Sequence, residues 1–256
     1  GPRDVSGGWH DAGDYRKYVP FMGVPLWDLL HAAEWYPGAF SDKTQIPESG
    51  NGVPDFLDEI KVELDWILKM QDADGGVFSV VGVSGNDGGS PPDADRSPRL
   101  YGGKSTVATS TLGLASACAS RLFAPYETAY PGYAARLRSA ALLAWGFLEQ
   151  NPKNLKYAQG GFSQADANVS DAEDADRRLA AAAELFGLTG DPRFRDYFDR
   201  LYALPQGRGA NDHHPITKGY FETGGSTMLQ MGMVSYSLAP GASPDVVAAI
   251  AKSLRA

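Results

Sequence analysis

A chain of 256 residues, 43% hydrophobic and 21% charged, has the composition of an ordinary globular protein and enough length for a substantial core. Its net charge of −8 argues against nucleic acid and anionic membrane surfaces as partners and leaves neutral ligands unopposed. No apolar run reaches the roughly 20 residues that a bilayer-spanning helix needs, and one cysteine, Cys118, cannot close an internal disulfide.

The chain opens on the loop Gly7-Gly8-Trp9-His10-Asp11-Ala12-Gly13-Asp14-Tyr15. Its glycines permit sharp turns, and Asp11 and Asp14 stand three residues apart. Two carboxylates held close cannot both ionise freely, which is how one becomes a base and the other its helper. Trp9, His10, Tyr15 and the nearby Tyr18 add faces and polar tips suited to a sugar ring. An isolated pair of this spacing is ordinarily an acidic turn before a helix; the nine-residue string is much less common. No charged-then-apolar leader precedes it, an abrupt start expected of a mature, processed or excised segment.

Periodicity then predicts eight helices. The first spans 24–36, with Leu26, Leu29, Leu30 and Ala33 on one stripe. The clearest spans 54–70, with Pro54 in its first turn and Phe56, Leu57, Ile60, Leu64, Ile67 and Leu68 at helical spacing. A Gly/Ser/Pro/Asp-rich loop over 78–103 is long enough to be functional. Helices follow over 105–122, 132–150, 171–187 and 192–203, the last two split by Thr189-Gly190-Asp191-Pro192. A loop at 205–219 leads to a final pair, 226–238 and 244–255. No strand pair is convincing, so the fold is read as all-α, built from helical hairpins.

Other motifs resolve less favourably. Gly102-Gly103-Lys104-Ser105 ends like a phosphate loop, but Pro98 occupies the place of the first glycine, so Ser105 is read as a helix N-cap. His213 and His214 lack metal-ligand spacing. The run Asp171-Ala172-Glu173-Asp174-Ala175-Asp176 offers the oxygens calcium prefers, and it equally suits a helix N-terminus. Cys118 is expected buried, and Trp27, Trp66 and Trp145 are expected in the core.

The string Asp4-Val5-Ser6-Gly7-Gly8-Trp9-His10-Asp11-Ala12-Gly13-Asp14-Tyr15 closely resembles the catalytic-base motif of glycoside hydrolase family 9, the cellulase family of inverting endoglucanases. Further matches come in the family's order. They are Ile46-Pro47-Glu48-Ser49-Gly50-Asn51-Gly52-Val53-Pro54-Asp55, Leu68-Lys69-Met70-Gln71 with Asp74-Gly75-Gly76, Ser105-Thr106-Val107-Ala108-Thr109, and Ala181-Ala182-Ala183-Glu184-Leu185-Phe186 with Thr189-Gly190-Asp191.

The resemblance implies an (α/α)6 barrel of six inner and six outer helices. Residues 1–256 would be a single catalytic-type domain, the N-terminal portion of that barrel with about eight of its twelve helices. It implies Asp14 as general base, Asp11 as its partner on the attacking water, and Trp9, His10, Tyr15 and Tyr18 as sugar-contacting neighbours. The substrate would be cellulose or a related β-glucan, met by a secreted enzyme. No cofactor is required, with calcium at the acidic run as a candidate and no other metal. The chain looks most like the branch that often carries an immunoglobulin-like domain ahead of the catalytic one. Neither motif nor spacing makes Glu222 the general acid. An exo-acting β-glucosidase or glucosaminidase on the same scaffold and a non-catalytic glycan-binding protein are the rival readings.

Overall fold

The computed structural model describes residues 1–13, 16–84, 94, 96–158, 167–202 and 225–253. Among them are eight α-helices: α1 (Val19–Trp35), α2 (Asp55–Met70), α3 (Thr106–Phe123), α4 (Tyr133–Gln150), α5 (Asp171–Thr189), α6 (Pro192–Leu201), α7 (Gly225–Leu238) and α8 (Pro244–Ser253). All eight expected helices are present. The principal difference is at α1, which starts five residues earlier than its apolar stripe suggested. Pro20 sits in its first turn, where its missing N–H costs nothing. Pro25 lies inside the helix, which continues past it between the buried Met22, Leu26, Trp27 and Leu30.

Local chemistry explains the other starts. Pro54 is the N-cap of α2 rather than a member of its first turn, and its carbonyl accepts from Leu57 N at 2.8 Å. Ser105 caps α3 by accepting from Ala108 N at 3.1 Å, as its place in the sequence suggested. Ser170 and Glu173 form a reciprocal capping box on α5, and Gly190, at φ +66°, ends that helix in the left-handed region.

The helices form four consecutive hairpins. Helices α1, α3, α5 and α7 pack side by side in that order, while α4 leans on α3 and α6 on α5. Small residues set the spacing of the inner row. A Cβ built on Gly113 of α3 would stand 3.7 Å from Ala144 of α4, and one on Gly232 of α7 only 3.0 Å from the Cα of Ala180 on α5. Helix α3 is buried along nearly its whole length; its Ser and Thr side chains are small enough to pack inside, with hydroxyls such as those of Thr109 and Ser110 donating to backbone carbonyls of the preceding turn. Trp27, Trp66, Trp145 and Cys118 all lie in the core.

The expected absence of strand pairing is corrected. Two small antiparallel sheets exist, one ordered β1 (Lys17–Tyr18), β3 (Val80–Gly82), β4 (Leu100–Tyr101), the other pairing β2 (Val77–Phe78) with β5 (Lys104–Ser105). Lys17 faces Val81, and Phe78 faces Lys104. Strands of two or three residues are too short to show alternation. Their effect is positional: they tie the segment entering α1 to the segment entering α3. No helix among the described residues is long and apolar enough to cross a membrane.

Candidate active site

The carboxylate loop is laid along α2 and held at several points. Arg3 donates to the Lys69 and Gln71 carbonyls at 2.5 and 3.0 Å and pairs with Asp72 at 3.0 Å, a cation placed on the C-terminal carbonyls of α2. Lys69 pairs with Asp4 at 2.9 Å and donates to the Ser6 carbonyl at 3.0 Å. Gly8, at φ +74°, lies flat on Trp66: a Cβ there would stand 2.6 Å from the Trp66 side chain. Only glycine meets both conditions.

Beyond Gly8, the Trp9 backbone N–H donates to Glu63 Oε2 at 2.6 Å, and the Trp9 indole N–H donates to Glu59 Oε1 at 2.9 Å. From the far side of the loop, Lys17 donates to the Gly7 carbonyl, with its ammonium 5.7 Å from the Trp66 ring centre. Asp11 N–H donates to the Arg16 carbonyl at 2.8 Å, tying the loop to the segment that enters β1. The outcome is a turn fixed at both feet, with His10, Asp11 and Gly13 exposed at its head.

Glu63 is 0% exposed, and this burial pushes its carboxyl up to about 7 against the opposing pull of the Trp9 N–H and Lys17. Burial likewise pushes the Lys17 ammonium down, with Glu63 opposing. A buried carboxylate and a half-desolvated ammonium therefore grip one short stretch of backbone.

Of the residues singled out in the sequence, Trp9, His10 and Asp11 come together on this turn. Trp9 is half-buried, its body packed on the core. Tyr18 differs: it is 1% exposed, sits in β1 opposite Val80, and clusters with Val80, Tyr157 and Ala167. Asp14 and Tyr15 lie outside the described residues, as do His213, His214 and Glu222. Glu63, Glu59 and Lys17 were not singled out. The available signal was Glu63 itself, a carboxylate set in the apolar stripe of 54–70 between Ile60 and Leu64.

In the acidic run at 171–176, Asp171, Glu173 and Asp174 direct oxygens to protein donors. Glu173 closes the capping box, and Asp171 accepts from Asn154 at 3.0 Å. Asp174 pairs with Arg178 at 2.7 Å and accepts from Thr106 at 2.5 Å. This is the chemistry of a helix start, and these contacts do not fit a calcium cage.

A second polar cluster lies roughly 18 Å further along α1, twelve residues past its first turn at 1.5 Å per residue. His31, Cys118 and Glu184 place ligand-type atoms within 4.8 Å of one another. Glu184 is 0% exposed; its Oε1 accepts from Trp27 Nε1 and contacts His31 Nε2, both at 3.0 Å, and its Oε2 pairs with Arg121 at 2.7 Å. Arg121 also grips Glu34 at 2.8 and 3.1 Å, and Ser235 Oγ lies 3.0 Å from His31 Nε2. Burial would raise the Glu184 carboxyl, but Arg121 and then His31 outweigh it and hold it at about 2. Burial, then Glu184, push the Cys118 thiol up. Arg121 supplies the positive charge and the Glu184 oxygens are occupied, so the cluster is an ion-pair hub joining α1, α3, α5 and α7.

The chain belongs to glycosyl hydrolase family 9, whose family model matches residues 1–254. Endoglucanase D of Acetivibrio thermocellus is 36% identical over 259 residues, covering 98% of this chain and 39% of that protein. A xyloglucan-specific endo-beta-1,4-glucanase of Bacteroides ovatus is 36% identical over 199 residues, 75% of this chain and 34% of that one. The crystal structure of a metagenome-derived glycoside hydrolase family 9 endoglucanase superposes with a TM-score of 0.80 at 31% identity, covering 99% of this chain and 44% of that chain. The chain thus spans less than half the length of these relatives. Its four hairpins are part of an (α/α)6 barrel.

Proposed function

We propose that this chain carries the base side of an inverting β-1,4-glucan hydrolase, with Asp14 as general base and Asp11 as its partner. Asp14 takes a proton from water as that water attacks the anomeric carbon. The glycosidic C–O bond breaks on the opposite face, and a general acid protonates the leaving oxygen, so the configuration inverts. Asp11 accepts the second hydrogen bond of the water. Trp9, His10 and Tyr15 flank the sugar, while Tyr18 braces β1 beneath them. The acid is a carboxyl roughly 6.5–9.5 Å from the base, the gap an inverting enzyme needs for its water.

The observation that carries this reading is the turn itself: Asp11 is exposed on a loop whose feet are fixed by Trp9–Glu63 and Asp11–Arg16 contacts. The names of the relatives support a β-1,4-linked glucan as substrate, and we place the chain in a single catalytic domain acting outside the cell, where such polymers lie. The test is the product of soluble β-1,4-glucan hydrolysis by the full natural protein, followed by NMR. Oligosaccharides with newly formed α-anomeric ends are expected. Glucose released only from chain tips would move the assignment to an exo-acting enzyme, and binding without turnover would move it to a glycan-binding protein.

A further inference from the structure

We propose that Glu63 is the positioning residue of the carboxylate turn, acting through the Trp9 backbone N–H to set where Asp11 stands. The inference rests on the reading of that turn as the base site. Glu63 is fully buried on α2, a costly place for a carboxylate. Its Oε2 spans 54 residues of sequence to take one backbone N–H at 2.6 Å, while its Oε1 is buried without a hydrogen-bond partner. No helix cap uses Glu63. The contact it makes is therefore its structural purpose, and that contact falls two residues before Asp11.

The surroundings make the contact decisive for the turn. Gly8 has no side chain to grip and lies flat on Trp66, so the backbone there is held by packing and by Lys17 on the Gly7 carbonyl until Trp9. Lys17, the cation facing Glu63 from β1, reaches past it to the Gly7 carbonyl. Glu59, one turn earlier on α2, holds the Trp9 indole and not the backbone. Removing Glu63 leaves the Trp9 N–H without its acceptor, and the foot nearest Asp11 loses that hold. A water-binding carboxylate such as Asp11 displaced by about 1 Å loses on the order of 100-fold in rate.

The experiment uses the full natural protein with Glu63→Ala and Glu63→Gln, reading kcat and KM on soluble β-1,4-glucan and amide hydrogen exchange at Trp9. Glutamine keeps an acceptor oxygen at the same reach. The expected result is a kcat fall on the order of 100-fold for alanine with KM within about twofold, and recovery to within about fivefold for glutamine. Trp9 exchange should rise at least about tenfold in alanine alone. In the unmodified protein the Trp9 amide shift should titrate near neutral pH, and in Glu63→Gln that transition should vanish, a readout that survives if the alanine variant does not fold. Unchanged Trp9 exchange in a folded Glu63→Ala protein, or a Trp9 shift with no transition removed by Glu63→Gln, overturns the proposal. Asp14→Asn should abolish turnover and leave Trp9 exchange untouched, so failure of the base assignment and failure of the positioning role give different results.

Discussion

The backbone N–H of Asp11 donates to the carbonyl of Arg16 at 2.8 Å, so the turn that bears the proposed base is closed before β1 begins. Asp11 and Arg16 are thereby fixed to each other. The sugar-hydrolysing reading depends on that rigidity, because a water-activating carboxylate is useful only at a defined height above the anomeric carbon.

Gly8→Ala should destabilise the protein by about 1–3 kcal/mol, from the combined cost of a side chain at φ +74° and contact with Trp66 at 2.6 Å. Urea denaturation measures the loss. Gly13→Ala is the control: a Cβ there meets nothing within 4 Å and its φ is not positive, so stability should change by less than about 0.5 kcal/mol.

Glu184→Ala should cost about 3–5 kcal/mol in the same assay, since it leaves Arg121 half-paired and strips Trp27 and His31 of their shared acceptor. The exposed Arg195–Asp196 pair offers the comparison: Asp196→Ala should change stability by no more than about 0.5 kcal/mol. Equal effects at both sites would contradict the hub.

Stability should depend on pH with two opposite contributions. The folded carboxyl of Glu63 sits at about 7, above the ordinary 4.5, so the folded state binds its proton more tightly than the unfolded chain does. Its contribution is fully present below pH 4.5 and is lost as pH rises to about 7, by up to about 3 kcal/mol at 1.36 kcal/mol per pH unit. Glu184 has the reverse sign: held at about 2, its contribution is present above pH 4.5 and lost as pH falls toward 2. Denaturation midpoints across pH 3–8 in the parent and Glu63→Gln should show the upper slope only in the parent.

Ser170→Ala should cost about 1 kcal/mol by opening the capping box of α5. Because the acidic oxygens there already serve Asn154, Arg178 and Thr106, adding calcium to the parent should leave the melting of this region unchanged. Calcium protection abolished by Asp171→Ala would show the opposite.

The helices were legible because their apolar stripes run for three turns or more, and caps such as Ser105 and Gly190 are written in residue type. The strands were not, since pairs such as Lys17–Tyr18 carry no period. The start of α1 was hidden because the apolar stripe read from the sequence begins only at Leu26, beyond Pro20 in the first turn. Within the site, Trp9 and Asp11 stood out because they are adjacent in sequence. Glu63 acts across 54 residues, and only the folding of the turn onto α2 reveals what it holds. Tyr18 looked like a sugar platform by proximity, but strand pairing with Val80 turns its ring inward.

The central claim is that the turn beginning at Asp11 supplies the base. The most direct measurement is hydrolysis of soluble β-1,4-glucan by the full natural protein and its Asp14→Asn variant, with circular dichroism and urea denaturation confirming the fold of both. Activity in the parent and a fall of at least about 100-fold in the variant, at unchanged stability, is the predicted result. Equal turnover by a folded Asp14→Asn protein would contradict it.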